Sequence, residues 1–255
     1  MSRTLHAEWT KLRTAGGTGG LLLAVVLLTT AVGAAVAGSV TCHAAHGCGQ
    51  DPAKLSLTGV YLGQAAAAIL AVLAIGGEYS TGMIRVTFAA MPGRVSVLAA
   101  KATIVTGLVL AAGAVATIGS VLAGQLILPG HGLTGLPLSL GNGADLRAAL
   151  GSALYLALIG LLALGIAAVV RDSAAAIGIV LGLLFLFPLL ITTISAGAWQ
   201  RHLEQIAPMP AGLDIQATVN ISGLPLSPWQ GLGVLAAWAI GALLLGSLTL
   251  RLRDA

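Results

Sequence analysis

The sequence predicts an all-α, polytopic membrane protein with six transmembrane helices, and three observations predict it. Of 255 residues, 57% are hydrophobic and only 8% charged, against about 25% charged in a soluble domain. Six long stretches carry no Asp, Glu, Lys or Arg: Thr14–Gln50, Leu55–Gly77, Ala102–Ala144, Ala148–Val170, Ser173–Gln200 and Ile215–Leu250. A bilayer core needs about 20 apolar residues per helix. The runs are also continuously apolar, without the alternation of barrel strands. A chain of this size in water would still have to cover a polar surface; lipid removes that requirement.

Taken in order, residues 1–15 form a segment ahead of the first span. Leu5, Trp9 and Leu12 recur at i, i+4 and i+7, one face of a helix with the charges mostly elsewhere. Such an amphipathic helix lies in the membrane interface, with Trp at headgroup depth. The spans are expected near Gly20–Val40, Ser56–Gly76, Ser96–Leu126, Ala148–Val170, Ala174–Ile194 and Trp229–Leu250. The third is long enough to tilt or to project beyond the bilayer. The competing reading of the first span is a secretory leader, with Arg3, Lys11 and Arg13 as its basic region and Ala35-Val36-Ala37 as its cleavage site; that basic region is unusually long for a leader. Arg171-Asp172-Ser173 makes a turn so short that spans four and five form a hairpin. Residues 195–228, with four prolines, form an outer segment that has room for short or re-entrant helices. The whole chain reads as one membrane domain.

Basic residues orient it. With six spans both termini lie on one side. That side holds Arg3, Lys11, Arg13, Arg85, Arg94, Lys101, Arg171, Arg251 and Arg253, and the other holds Lys54, Arg147 and Arg201. Nine against three places both termini in the cytoplasm by the positive-inside rule, with the protein multi-pass in the cell membrane. The net charge of +4 is explained by this topology, so nucleic acid is not an expected partner.

Catalytic motifs are missing. The sequence has no phosphate-cradling Gly-x-x-x-x-Gly-Lys-Ser/Thr loop, no His-Glu-x-x-His helix and no Gly-x-Ser-x-Gly elbow. No carboxylate falls inside a predicted membrane core, which weighs against ion-coupled transport. Cys42, His43, His46 and Cys48 crowd the first outer loop. This pattern admits a small Cys42–Cys48 disulfide, free thiols or a metal site, with the disulfide favoured on an oxidising face. Pairs of small residues at four-residue spacing, Gly59/Gly63, Gly107/Ala111 and Gly178/Gly182, permit close helix crossings within the chain or between subunits.

The largest polar interruption on the predicted inner face is residues 77–101. Ile84, Phe88 and Met91 share a helical face, Glu78, Arg85 and Arg94 surround it, and Pro92-Gly93 ends it. Such a helix can rest on lipid or dock into a groove of a cytoplasmic partner. Glu78-Tyr79-Ser80-Thr81-Gly82-Met83-Ile84-Arg85, followed by Pro92-Gly93-Arg94 and Lys101, resembles the permease subunits of type-two ATP-binding-cassette exporters. Glu8-Trp9-Thr10-Lys11-Leu12-Arg13 resembles the start of many of them, actinobacterial members especially. The motifs cover about 30 residues, and the six-span layout covers the chain.

The resemblance implies a permease that pairs with a second copy or a paralogue and with separate cytoplasmic ATPase subunits. ATP and magnesium would be bound there, so this chain would carry no cofactor and no catalytic residue. It implies a cytoplasmic coupling helix between spans two and three, carrying Glu78, Tyr79, Gly82, Arg85 and Arg94. It also implies an interfacial helix ahead of span one and re-entrant helices ahead of span six. An uncharged wall favours a hydrophobic or amphiphilic cargo, such as a lipid, a peptide antibiotic or another natural product. On this basis Glu78→Ala is expected to uncouple ATP turnover from transport and leave the fold intact. The alternatives are a non-transporting sensor or assembly subunit, or an ATP-independent channel or carrier.

Overall fold

A computed structural model describes residues 6–11, 16–40, 50–83, 86, 93–131, 139, 141–193 and 197–252. Among these the chain is mostly helical and has no strand. A short helix, α1, occupies residues 6–11. Six helices are long and apolar enough to cross a membrane: α2 (Gly16–Ser39), α3 (Pro52–Ser80), α4 (Arg94–Gly130, its last turn 3-10), α5 (Gly143–Val170), α6 (Ser173–Thr193) and, after two short helices, α9 (Pro228–Leu252). The short pair is α7 (Gly197–Ile206) and α8 (Pro208–Leu213). Each span covers most of the stretch predicted for it, because freedom from charge over about 20 residues is what fixes a span's position.

Helix ends follow local chemistry. Asp51 caps α3, accepting from the amides of Ala53 and Lys54, and Pro52 follows in the first turn, where a missing N–H costs nothing. Asn142 caps α5. Arg171 ends α5 in the left-handed conformation (φ 62°), and Asp172 then caps α6 through the amide of Ala175 at 2.7 Å. The three-residue turn is therefore one helix stop joined to one helix start. Within α6, residues Gly182–Leu186 form a π-helical turn just ahead of Pro188. Proline has no N–H to return to the preceding turn, and a wider turn absorbs the defect.

The spans differ in how deeply they sit. In the most apolar window of α3 and of α5, 72% and 67% of residues are buried, against 22% in α2, 22% in α6 and 28% in α9. The helices α3 and α5 thus form the centre, with α5 packed on α9, α4 and α3, and α2 packed on α4 and α3. Where α2 meets α3 the backbones touch: a Cβ on Gly59 would lie 1.9 Å from the carbonyl oxygen of Thr29, and one on Gly33 would lie 2.1 Å from that of Ser56. Gly59 and Gly63 therefore serve a crossing within the chain. Gly107, Gly178 and Gly182 meet nothing, and lie on the outer surfaces of α4 and α6. The outward faces carry Leu, Ile and Val, as lipid requires.

The segment between α6 and α9 folds back among the spans. The Trp238 indole N–H donates to the carbonyl of Ile206 at 2.9 Å, ten residues inside α9. That lies roughly 15 Å along the helix. The chain then returns: Gly212 packs on Tyr155, Ile215 on Gly151, and the Gln216 amide donates to Ser152 at 3.2 Å. Non-helical backbone at such depth needs protein partners; Trp238 supplies one for the carbonyl that ends α7.

Candidate functional site

The charged residues of the spans gather at the two ends, and one end holds a closed ionic knot. Glu8 and Lys11 are one turn apart on α1, Glu78 is in the last turn of α3, and Lys101 is in the second turn of α4. The Lys101 ammonium donates to Glu8 Oε2 at 2.5 Å, Glu78 Oε1 at 2.8 Å and the carbonyl of Ala74 at 3.0 Å. All three of its donors are used. The Lys11 ammonium donates to Glu8 Oε1 and Glu78 Oε1, both at 3.0 Å. Glu8 is fully buried, Lys101 is 1% exposed and Glu78 7%. Two lysines and two glutamates make the knot neutral. Neutrality allows the charges to be buried; a single one would be prohibitive. Burial pulls the Lys11 pKa down, but the hydrogen bonds and charges of Glu8 and Glu78 outweigh it, so its value lies above 10.5.

Around the knot, arginines tie other helix ends together. The Arg94 guanidinium donates to the carbonyl of Leu250 at 3.1 Å, and that of Arg171 to Thr249 at 2.9 Å. These are last-turn carbonyls of α9, where a helix lacks internal donors and carries partial negative charge. Arg171 also lies 5.8 Å from the centre of the Tyr79 ring, within cation–π range. Gly82 takes a left-handed φ of 71° just past α3, a conformation that costs a side-chain-bearing residue about 1–2 kcal/mol.

The residues singled out from sequence are thus partly united. Glu78, Tyr79, Gly82 and Arg94 stand together at this end with α1. Trp9 is 45% exposed and faces away from the helices. Arg85, Leu5, Leu12, Cys42 and Cys48 lie outside the described residues, as do Ile84, Phe88 and Met91. Sequence reasoning found Glu78 but not its partners. Glu8 and Lys101 are 93 positions apart, and each passes for an ordinary flanking charge. The visible signal was Glu8 three residues before Lys11, which placed two charges on one face of a helix otherwise read for its apolar face.

The opposite end is joined differently. Asp51 Oδ1 accepts from the Thr218 hydroxyl at 2.7 Å, and Oδ2 accepts from the amides of Thr218 and of Val219, the latter at 2.9 Å. Arg147 donates to the carbonyl of Ala217 at 2.5 Å. Nearby Asp214 is half-buried, and its pKa is raised to about 6, mainly by burial; Lys54 opposes the rise and Glu204 adds to it. At membrane depth the Tyr155 hydroxyl donates to Gln64 Oε1, a buried pair. An apolar cavity of about 590 Å³ lies between α5, α6 and α9, against Leu162, Ile166, Ile179 and Trp238. Among the described residues, no group of three or more His, Cys, Asp or Glu is placed to hold a metal. No protein-family model matches the chain, and no curated protein matches it.

Proposed function

We propose that this chain is the transmembrane permease subunit of an ATP-driven exporter, working with separate cytoplasmic ATPase subunits and a second permease copy or paralogue. The reading supposes the cell membrane as its site and the knotted end as the cytoplasmic face. The described basic residues favour that orientation: Lys11, Arg94, Lys101, Arg171 and Arg251 lie at the knotted end, and Lys54, Arg147 and Arg201 at the other.

The knot is the observation that carries the reading. It binds α1, the end of α3 and the start of α4 into one unit, and the two helix ends are those that residues 77–101 join. Force applied to that segment by a moving ATPase would reach three helices together and pass through Arg94 to the end of α9. Coupling needs a part that changes contacts between two states, and a rigid handle on several spans meets that need. The spans' charged side chains stand within about two turns of their ends. Amphiphilic or hydrophobic cargo therefore suits the walls better than ions do, whether lipid, peptide antibiotic or another natural product. The weakly buried α2, α6 and α9 leave broad faces for lipid, cargo or a second permease.

Expression with the neighbouring genes, purification in mild detergent and mass spectrometry of the complex test the proposal. A stoichiometric ATPase that turns over faster with the permease present supports it. A chain that purifies without any ATPase, at every ratio of co-expression, overturns it in favour of a sensor subunit or an ATP-independent carrier.

A further inference from the structure

We infer that the hollow at the end of α3 remote from the knot binds a phospholipid with a net negative head group, phosphatidylglycerol being the simplest. The hollow, of about 530 Å³, is lined by Gln50, Asp51, Lys54, Leu55, Thr58 and Tyr61. Its size is that of ligand pockets, about 300–1,000 Å³. It heads a track along α3. This span is the most buried of the six, yet Lys54, Thr58, Tyr61, Ala65 and Ile69 are exposed or half-buried. They recur at i, i+4, i+7, i+11 and i+15, which is one face of a helix. Along that face the chemistry changes with depth. An ammonium and two hydroxyls stand in the first turns, and the residues from Leu62 onward are apolar; Leu62 is 44% exposed. From Tyr61 to Ile69 is roughly 12 Å, most of one leaflet's half of a hydrocarbon core about 30 Å thick. A head group beside the first turns and one acyl chain along the track match that order.

The lining selects a head group that accepts hydrogen bonds. Asp51 is the one carboxylate among the lining residues, and both its oxygens are taken. Oδ1 accepts from the amides of Ala53 and Lys54 and from the Thr218 hydroxyl, and Oδ2 from the amides of Thr218 and Val219. The side chains left over are donors. Among the described residues, the Lys54 ammonium, the Tyr61 hydroxyl and the Gln50 amide meet no hydrogen-bond partner. Lys54 is exposed and Tyr61 is 37% exposed, so a ligand in the hollow reaches both. Phosphodiester oxygens supply the missing acceptors. Their charge is answered by Lys54 at head-group level, where a basic residue attracts anionic lipid. Phosphatidylcholine brings the same phosphodiester but sets a quaternary ammonium against the lysine. Asp214 acts on Lys54 electrostatically from outside the lining. Among the described residues it makes no ion pair with Lys54, so the ammonium stays available.

The inference needs only that the chain sits in a bilayer, and it stands apart from the exporter reading. Its test is native mass spectrometry of the delipidated full-length protein, titrated with phosphatidylglycerol or phosphatidylcholine of identical acyl chains. One phosphatidylglycerol is expected to bind about tenfold more tightly than phosphatidylcholine, the worth of one charge-assisted hydrogen bond. Lys54→Gln is expected to abolish that preference and leave the melting temperature unchanged, because the ammonium holds nothing in the fold. Lys54→Glu is expected to reverse the preference, and repeats the test should Lys54→Gln fold poorly. Arg201→Gln removes another exposed cation at the same end and is expected to leave the preference intact. Inorganic phosphate is expected not to compete, since it has no chain for the track. Equal affinity for the two lipids, or an undiminished preference in both folded Lys54 variants, would overturn the inference. So would loss of the preference in Arg201→Gln, or displacement of the lipid by inorganic phosphate.

Discussion

At the knotted end, four ionisable side chains from α1, α3 and α4 hold one another, whereas at the opposite end one carboxylate, Asp51, holds the backbone of residues 218–219. The first arrangement is charge against charge in a dry setting, so each member depends on all the others. The second is charge against amide dipoles at a half-exposed edge, where water can replace a lost partner. The difference teaches where the molecule tolerates change. An ionic knot is firm as a whole and fails when any member goes, as the proposed coupling role would require. A carboxylate bound to backbone amides specifies a local turn and yields by degrees.

Substitutions at the two ends break or sharpen that contrast. The largest effect belongs to Lys101→Ala, which leaves Lys11 alone to balance the buried carboxylates of Glu8 and Glu78. A loss of about 3–5 kcal/mol is expected, read as thermal or denaturant unfolding in detergent. Glu78→Ala belongs to the same class, because it leaves Lys101 short of a partner. The earlier expectation that this variant leaves the fold intact conflicts with the buried position of the carboxylate. Its effect on coupling must be judged on protein shown to be folded. A loss under 1 kcal/mol for Lys101→Ala would mean that the knot is not closed.

Asp51→Ala comes next, at about 2–3 kcal/mol, since several donors lose one ionised acceptor. The two ends are roughly 40 Å apart along α3, so Lys101→Ala and Asp51→Ala should add to within about 0.5 kcal/mol. A larger interaction energy would show the ends to be linked. Arg94→Ala should cost about 1 kcal/mol, the worth of capping the last carbonyls of α9. Its melting curve should approach the wild-type curve if Lys replaces Arg.

The smallest effect is the pH dependence of Asp214. Its folded pKa, about 6, lies above the ordinary 3.8, so the folded state binds the proton more tightly than the unfolded state does. Stability from this group is therefore greatest below pH 3.8, declines as pH rises toward 6, and is flat above. Allowing for solvent screening at a half-exposed site, the change is on the order of 1 kcal/mol. Asp214→Asn should remove that slope from melting temperatures measured between pH 4 and 7, with Lys101 and Glu78 untouched.

Much of the fold could be read in the residues, because the bilayer imposes a one-dimensional rule. Long apolar runs, free of charge, must be helices that span, and their ends must fall where charges resume. The turn at Arg171-Asp172, the caps at Asp51 and Asn142 and the left-handed Gly82 are local in the same sense: neighbouring residues suffice to make them. The candidate site is not local. Glu78 stood out by its place in a polar interruption, yet its partners come from positions 8, 11 and 101, and nothing in their spacing says that they meet. The same holds for Trp238 and the carbonyl of Ile206, and for Asp51 and Thr218.

By itself, then, the sequence determined the class of solvent, the number of spans, their approximate limits and the side on which basic charge collects. Each of these follows from transferring single helices between water and lipid. Only the tertiary structure decided which helices form the centre, which glycines are covered, and which charges are neutralised. Those outcomes are pairwise free energies between distant segments, present only once the helices have packed.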